Sequence, residues 1–372
     1  MANKHILITK LFDAGGSNSH LKLLVKYFGE KNIILILEGK EQVTHLNNLF
    51  PANTFKTKII PGLHQYAHLR YKFTTNIREL LNIAWSVAAL LLLNIRYGFA
   101  DVTISSVEPE KYLYLLWTPF ITVRYILHTE PPAAFSTFTS FTCNTCLAKG
   151  KRIIAVSRHM RQVIARQWDI KPGKQSFITV IHNSLPEEQV VVKQDFLFKN
   201  HKIVLTIGRV EPNKNPATWL QVARAITANH RDVEFIWLGN GPELAHFKNL
   251  VSAEERISFK GLVLYPQPYL EKAFIYYQPS LNESHGIAVL EAMYYQLPCV
   301  VSDAGGLPES VKDDCNGYLV KPTDVQQHVN AIIKLIENPV SYYTFALNSS
   351  QRYWALFSFN NFKQGMDAIY FS

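Results

Sequence analysis

The sequence contains little cysteine, and its four cysteines are scattered. They stand at positions 143, 146, 299 and 315 of 372 residues, too few and too far apart for a disulfide framework. We therefore predict a reducing, cytoplasmic setting. We expect no secretory signal, because Met1–Lys4 leads directly into the strand-like run HILIT. Cys143 and Cys146 have no second pair at zinc spacing, so we expect ordinary thiols there, no metal and no cofactor.

The apolar run within residues 78–102 is too short to span a bilayer comfortably. Asn82 and Asn94 interrupt it, which leaves about 15 apolar residues where a spanning helix needs about 20. We predict a buried helix there. The preceding residues 64–78 mix aromatic side chains with three cations, a composition suited to a membrane surface or to an anionic acceptor. We therefore predict peripheral membrane association, on the cytoplasmic face of the inner membrane.

Acidic residues are clearly outnumbered by basic residues only in the first half of the chain. The net charge is +9; residues 1–197 hold 23 Lys and Arg against 13 Asp and Glu, whereas residues 198–372 hold 15 against 16. Such a bias favours an anionic partner for the first half, and a merely soluble basic face is the alternative. The basic residues form no RNA motif with interleaved aromatics, so we expect no nucleic-acid partner.

Short β-branched runs alternate with helical patterns along the whole chain. The runs are nearly continuous in apolar residues, which is typical of parallel strands covered on both faces. This alternation predicts an α/β protein of two doubly wound, Rossmann-like domains, facing each other across a cleft. We place them at residues 1–190 and 200–356, with a tail, 357–372, that either packs back on the first domain or ends the second. The predicted strands are 5–9, 33–37, 101–105, 122–127, 152–156, 177–182, 202–208, 233–239, 298–303 and 317–320.

The sequence lacks the dinucleotide fingerprint G-x-G-x-x-G after its first strand. It has Gly15 and Gly16 instead, between the first strand and the first helix. Glycines there let the backbone approach a ligand at a helix N-terminus, where negative charge is favoured. A tight turn and a contact with a phosphate or sugar both fit this signal.

Two cations follow the strand at 202–208. Arg209 and Lys214 lie in the loop GRVEPNKNP, ahead of a helical pattern. A guanidinium fork and a mobile ammonium can together hold a diphosphate and stabilise it as a leaving group, without a metal. A solvated turn with incidental charges is the alternative.

Two carboxylates stand in an apolar frame at 280–311. Glu283 and Glu291 are eight positions apart, so in one continuous helix they would point about 80° apart. We predict that the helix begins near Gly286, with Glu283 before it and Glu291 a turn or more inside it. Both carboxylates would then face one elongated ligand, and sugar diols suit them because carboxylates accept paired hydroxyl hydrogen bonds.

This segment carries a family resemblance. The pattern E-x7-E, followed by the turns GGLPE and NG, resembles family 4 of the retaining glycosyltransferases of the GT-B fold. The pair Arg209 and Lys214 and the runs VIHNS and AVSRHM match that family in order and spacing. The resemblance covers nearly all of the second half and, loosely, the first. The sequence departs from the family at His285, where an aromatic is usual, and at Asn215, where glycine is common.

The resemblance implies a role for each matching residue. Arg209 and Lys214 would hold the nucleotide diphosphate, Glu283 the hydroxyls of the transferred sugar, and Glu291 the ribose. His128, in ILHTEPP, matches a family histidine near the reacting sugar. The expected catalytic set is His128, Glu283, Arg209 and Lys214, and the expected donor-binding set is Gly15, Gly16, Arg209, Lys214, Glu283, Ser284, His285, Gly286, Ile287 and Glu291.

The function implied is transfer of a sugar, with retention, from a nucleotide-diphosphate donor to a hydroxyl of a glycan. A UDP-sugar and a glycan or lipid-linked glycan acceptor of cell-surface polysaccharide or lipopolysaccharide assembly are the expected partners. Two alternatives stay open. One is a non-hydrolysing UDP-sugar epimerase, which shares the fold. The other is a catalytically silent subunit that binds nucleotide sugars.

Overall fold

The computed structural model describes residues 5–9, 16–37, 42–50, 77–98, 101–105, 109–131, 137–186 and 201–371. The chain divides into two compact units, Met1–His182 and Asn183–Ser372. The predicted boundary segment lies mostly outside the described residues. The division assigns the tail to the second unit.

The first unit is built on a six-stranded parallel sheet. Its strand order is β2-β1-β3-β4-β5-β6, so the carboxyl ends of all six strands lie along one edge. Burial of both faces explains why the strands contain β-branched and aliphatic runs rather than alternating polar residues. The strands are β1 His5–Thr9, β2 Ile33–Leu37, β3 Val102–Ser105, β4 Val123–Leu127, β5 Lys151–Ala155 and β6 Ile178–Val180.

Five helices accompany this sheet in the described residues. They are α1 Gly16–Phe28, α2 Gln42–Leu49, α3 Ile77–Tyr97, α4 Thr137–Cys146 and α5 Arg158–Gln167. Helix α1 buries Leu21, Leu24, Val25 and Phe28, the positions that recur at the helical period in the sequence. Ser157 caps α5, because its hydroxyl accepts a hydrogen bond from the Met160 amide at 3.0 Å.

The prediction of a buried helix within 78–102 is only half right. Helix α3 forms there and buries one face, which includes Leu90 and Leu93. Its opposite face is apolar and open, with four large side chains more than 60% exposed: Leu81, Trp85, Leu92 and Ile95. The run is therefore apolar on both sides, which periodicity alone does not reveal. None of the helices in the described part of the chain has the length and apolarity needed to cross a membrane.

The second unit contains a second six-stranded parallel sheet, in the order β12-β11-β10-β7-β8-β9. Four of its strands lie where the sequence predicts them. The other two, β9 and β10, are not among the predicted strands, because apolar and polar residues alternate in β9 and β10 ends on the polar Gln278. The strands are β7 Lys202–Ile207, β8 Val233–Leu238, β9 Ile257–Gly261, β10 Ile275–Gln278, β11 Cys299–Ser302 and β12 Gly317–Val320.

Eight α-helices lie in the part of the second unit that the structure describes. The longest is α12, with 18 residues, and the tail forms a helix of its own, α13, which Ser358 caps by accepting a hydrogen bond from the Asn361 amide. The helices are α6 Pro216–Thr227, α7 Leu244–Asn249, α8 Gln267–Lys272, α9 Ile287–Tyr294, α10 Leu307–Ser310, α11 Val325–Glu337, α12 Pro339–Leu356 and α13 Phe359–Tyr370.

An aromatic cluster in the second core fixes the loop that follows β7. The rings of Trp219 and Trp237 are fully buried and pack edge to face, with centroids 5.2 Å apart. The Trp219 indole donates to the Thr206 hydroxyl at 2.7 Å, and the Trp237 indole donates to the Gly208 carbonyl at 2.8 Å. Buried aromatic pairs of this kind add packing energy beyond their apolar area. The start of the Arg209 loop is thereby anchored to the core.

Candidate active site

The loop between β7 and α6 ends on a left-handed residue. Asn215 has φ 57° and ψ 53°, and it caps α6 by accepting a hydrogen bond from the Thr218 amide. Its side-chain amide also donates to the Pro322 carbonyl at 2.9 Å. Asparagine tolerates this left-handed conformation better than most residues. The turn places Lys214 directly before the helix.

Lys214 contacts Glu283, which is the most constrained carboxylate of this region. One oxygen of Glu283, Oε1, accepts hydrogen bonds from the Lys214 ammonium, from the Gln278 amide and from the Ser280 hydroxyl, the last at 3.0 Å. The side chains of Glu283 and Lys214 are 9% and 20% exposed. The described residues give the second oxygen, Oε2, no partner. Glu283 is thus held at one oxygen, and its other oxygen can accept hydrogen bonds from a ligand.

The buried Tyr276 orients the side chain of Gln278, one of the residues that hold Glu283. The Tyr276 hydroxyl donates to the Gln278 side-chain carbonyl at 2.6 Å, which turns the Gln278 amide group toward Glu283. Burial, reinforced by the negative charges of Glu283 and Glu291, raises the pKa of Tyr276 well above its ordinary value. Tyr276 therefore stays neutral and remains a donor. The negative charges of both glutamates act on this one hydroxyl.

The helix start between the two glutamates is confirmed. Helix α9 begins at Ile287 with Gly286 as its N-cap, at φ 85° and ψ 71°. Glu283 precedes the helix, and Glu291 is its fifth residue. Gly286 is required there on two counts, because its φ is left-handed and an added Cβ would lie 2.9 Å from the Leu307 side chain.

The Gly-Gly turn supports the Glu283 loop from the other side. Gly305 has φ 59°, and a Cβ there would lie 2.1 Å from the Glu283 carbonyl oxygen. The Gly306 amide donates to that same carbonyl at 2.7 Å. The turn therefore fits against the loop backbone only without side chains. In this chain the two glycines stand 22 and 23 residues after Glu283.

The side chains of Arg209 and His285 differ in their exposure to solvent. Arg209 is half-exposed, and its Nε donates to Glu211 Oε2 at 3.0 Å, so the guanidinium stays open to a ligand. The His285 side chain is buried at 1% exposure, with its ring 5.4 Å from that of Phe357. It occupies an aromatic packing position, so any contact it makes with donor comes from its backbone. Ser284 and Ile287 are half-buried beside it.

The first unit brings histidines together at its own carboxyl edge. His128 follows β4, and its Nε2 lies 3.0 Å from the Ser105 hydroxyl at the end of β3. The His20 ring, on α1, packs against it at 3.9 Å between centroids. Burial lowers the pKa of His128 to about 4, so it is neutral at pH 7. Gly16 is the first residue of α1, and Gly15 lies outside the described residues.

Several polar residues of these clusters escape sequence reasoning. Gln278 and Ser280 hold Glu283 in place, and Ser105 and His20 contact His128. Gln278 carries a signal in the sequence, since it is a polar residue at the end of the apolar run AFIYY. His20 carries none. Within the described ranges, no three or more His, Cys, Asp or Glu side chains are grouped to hold a metal ion, and metal independence stays a prediction.

The sequence of the second unit matches a known family. Residues 189–352 match the model of the glycosyl transferases group 1. A curated relative is UDP-Gal:alpha-D-GlcNAc-diphosphoundecaprenol alpha-1,3-galactosyltransferase of Escherichia coli, 27% identical over 204 residues. That match covers 51% of this chain and 52% of the relative, so the chain spans about half of that enzyme's length. The O-antigen chain mannosyltransferase RfbU of Salmonella typhimurium is 26% identical over 303 residues, 78% of this chain and 79% of that one.

Solved structures extend the likeness to the whole chain. HepE of Anabaena, in complex with UDP and glucose, matches with a TM-score of 0.76 and 18% identity, covering 100% of both chains. The chain has the GT-B fold. The fold prediction of two Rossmann-like domains with parallel sheets is therefore confirmed. In the second unit, the cluster of Glu283, Lys214 and Gln278 lies at the carboxyl edge of the sheet, where ligands of open α/β sheets bind.

Proposed function

We propose that this protein is a retaining glycosyltransferase of the family 4 type. It transfers a sugar from a nucleotide-diphosphate donor, a UDP-sugar, to a hydroxyl of a glycan acceptor in cell-surface polysaccharide or lipopolysaccharide assembly. The observation that carries the proposal is the Glu283 cluster, in which a buried carboxylate with one free oxygen lies beside the Lys214 ammonium. That arrangement matches a ligand with hydroxyls on one side and phosphates on the other.

The donor site follows from the charges around this cluster. Lys214 and the open guanidinium of Arg209 lie in one loop, and two fixed cations offset the charge of a diphosphate without a metal. Glu283 Oε2 accepts a hydroxyl of the transferred sugar. Glu291, half-buried within α9, accepts the ribose hydroxyls. The amides at the start of α9, at Gly286 and Ile287, face the phosphates, because a helix N-terminus favours anions.

The relatives support a nucleotide-sugar donor and a glycan acceptor. The Escherichia coli relative is named for transfer from UDP-Gal to a diphosphoundecaprenol-linked GlcNAc. The Salmonella relative acts on the O-antigen chain, and the Anabaena structure contains UDP and glucose. We propose the same classes of donor and acceptor for this chain.

The proposed chemistry is a front-face displacement. The bond between the anomeric carbon and the diphosphate oxygen breaks, and the acceptor hydroxyl forms its bond on the same face of the sugar. The acceptor proton passes to the departing phosphate oxygen. Lys214 and Arg209 stabilise the negative charge that develops on the diphosphate.

The test of the donor site uses calorimetric titration of UDP into the whole chain. We expect Arg209→Ala and Glu291→Ala each to weaken UDP binding about 10- to 100-fold, since a hydrogen bond to a charged group contributes about 1.5–3 kcal/mol. The matched control is Arg224→Ala in α6. Arg224 is also half-exposed and paired, with its Nε 2.9 Å from Glu255 Oε2, and its loss should leave UDP affinity unchanged. Undiminished affinity in both site variants rejects the donor site.

Turnover separates transfer from the two alternatives. A transferase releases UDP only when acceptor is present. The epimerase alternative predicts conversion of the nucleotide sugar without acceptor, and the silent-subunit alternative predicts donor binding with neither turnover nor hydrolysis. Coupled detection of UDP release with and without acceptor identifies a transferase, and analysis of the nucleotide sugar after incubation without acceptor separates an epimerase from a silent subunit. Retention is checked by the anomeric proton coupling of the product.

We also propose that the first unit associates peripherally with anionic membrane on the cytoplasmic face. The open face of α3, formed by Leu81, Trp85, Leu92 and Ile95, is apolar, and the half of the chain that carries it has a net charge of +10. An apolar helix face combined with net positive charge suits an anionic lipid surface. Sedimentation with anionic liposomes tests this: we expect salt-sensitive binding that Trp85→Glu weakens, and no binding in low salt would reject it.

A further inference from the structure

A second carboxylate site lies at the carboxyl edge of the first sheet. Glu130 follows β4 by three residues, and its Oε1 accepts a hydrogen bond from His159 Nε2 at 2.8 Å. The two side chains are 27% and 31% exposed. Glu130 stands two positions after His128 in the run ILHTEPP, and His159 lies in the run AVSRHM, but neither residue has a role assigned above.

The backbone fixes where this pair lies. β4 and β5 are parallel neighbours, with Leu127 paired to Ala155 at their carboxyl ends. The chain leaves β5 into α5, whose cap is Ser157, so His159 is the second residue of that helix. Glu130 is thereby held near a helix N-terminus, whose partial positive charge favours a carboxylate. His159 lies within a helix, whereas Glu130 lies in the connection that follows β4, three residues beyond the end of that strand.

The pair leaves one oxygen of Glu130 available. Its Oε1 is occupied by His159, while the described part of the chain offers Oε2 no hydrogen-bond partner. The arrangement repeats that of Glu283, in which one carboxylate oxygen is held by the protein and the other is free. Ion pairs this exposed contribute about 0–1 kcal/mol to stability. Stability alone is therefore a weak reason for a carboxylate at this edge.

A second ion pair in the same unit, between Arg124 and Asp101, lies where a structural role is expected. Arg124, within β4, pairs with Asp101 at 3.1 Å, and the arginine side chain is only 6% exposed. That pair stands before β3 and within β4, toward the amino ends of the strands, where open α/β sheets do not bind ligands. The Glu130 pair lies at the opposite edge, where they do.

We propose that Glu130 binds a hydroxyl of the acceptor glycan through Oε2, and that His159 is the residue that positions it. The inference rests on the proposed function, because it assigns the acceptor side of the same reaction. A carboxylate accepts hydroxyl hydrogen bonds and donates none, so the ligand group it selects is an uncharged sugar hydroxyl. Glu130 orients the acceptor and takes no proton in the transfer.

The experiment measures acceptor and donor binding separately in the whole chain. The probes are octyl glycosides of glucose, galactose, mannose and N-acetylglucosamine, followed by saturation-transfer NMR in the presence of UDP, and UDP itself, followed by calorimetry. We expect at least one glycoside to bind the parent protein. Glu130→Gln, which keeps the shape but not the charge, should weaken that binding about 10-fold and leave UDP affinity unchanged.

The positioning role of His159 has its own readout. His159→Gln should weaken glycoside binding by a smaller factor, about 3-fold. Adding it to Glu130→Gln should cause no further loss, because the two residues act as one unit. A matched control is the pair of His201 and Glu234 in the second unit, 3.3 Å apart at the amino ends of β7 and β8. Glu234→Gln should leave glycoside binding unchanged.

The outcomes separate this inference from the proposed function. Equal glycoside binding by Glu130→Gln and the parent overturns it, and so does a parent that binds none of the four glycosides. Glycoside binding that depends on Glu130 while UDP fails to bind the parent upholds the acceptor site and rejects the donor site. Thermal unfolding of each variant confirms that the chain is folded.

Discussion

Replacing Lys214 by methionine tests what the ion pair between Lys214 and Glu283 contributes to stability. Methionine keeps most of the side-chain volume and removes the charge. Glu283 would then retain the hydrogen bonds from Gln278 and Ser280 but lose its cation, with only 9% of its side chain exposed to water. The variant therefore leaves a buried carboxylate without charge compensation.

The expected cost follows from the burial and the remaining donors. Removing one partner of a fully buried pair costs about 3–5 kcal/mol. Two donors remain on Oε1, and Lys214 is itself partly exposed, so we expect the free energy of unfolding to fall by about 2 kcal/mol. Glu283→Gln alone should cost less, because the Lys214 ammonium can reach water. The double variant should recover about 1–2 kcal/mol relative to the sum of the two single changes.

The assay is urea unfolding of the whole chain, followed by tryptophan fluorescence. Trp219 and Trp237 lie in the core that anchors the Lys214 loop. The control is Lys363→Met, which breaks an exposed i,i+4 pair with Asp367 in the same unit and should change stability by about 0.5 kcal/mol or less. If Lys214→Met costs no more than this control, or if the double-variant effects are additive, the ion pair is not a buried unit.

Three further predictions concern the supporting structure. Gly305→Ala should lower the thermal midpoint sharply and weaken UDP binding, because its Cβ would lie 2.1 Å from the Glu283 carbonyl; Gly173→Ala, where a Cβ meets nothing within 4 Å, should do neither, and equal effects would contradict this. Asn215→Ala should lower the free energy of urea unfolding by about 2 kcal/mol through loss of the cap and left-handed strain, whereas Asn215→Gly should cost a few tenths; the reverse order would refute the cap. Burial lowers the pKa of His328 from 6.5 to about 4, so the unfolded chain binds a proton that the folded chain does not, and stability should fall between pH 6.5 and 4 by up to about 3 kcal/mol. The slope of thermal midpoint against pH should be shallower in His328→Asn, and an unchanged slope would exclude this histidine.

The sequence predicts the strands and the site motifs where the signal is local. The apolar runs of β1 and β2 match the structure residue for residue, because strands buried on both faces must be continuous in apolar residues. The start of α9 was predictable from Gly286, since a left-handed cap has a recognisable residue. Strand β10 was not, because only three apolar residues precede the polar Gln278 within it.

The sequence alone does not predict which residues contact the site residues. Gln278 and Glu283 are close in the chain, but Lys214 reaches Glu283 across 69 positions, and only the strand order β10-β7 makes them neighbours. The pair of Glu130 and His159 likewise depends on the adjacency of β4 and β5. The exposed face of α3 was hidden for a different reason, since a helix with apolar residues on all sides has no periodicity to show which side faces solvent.

The central claim is that a nucleotide sugar binds where Glu283, Lys214 and Arg209 meet, and a crystal structure with an intact UDP-sugar tests it most directly. We predict diphosphate density against Lys214 and Arg209, and a sugar hydroxyl within hydrogen-bond distance of Glu283 Oε2. Donor bound elsewhere, with Glu283 making only the contacts it makes with its own chain, would contradict the account.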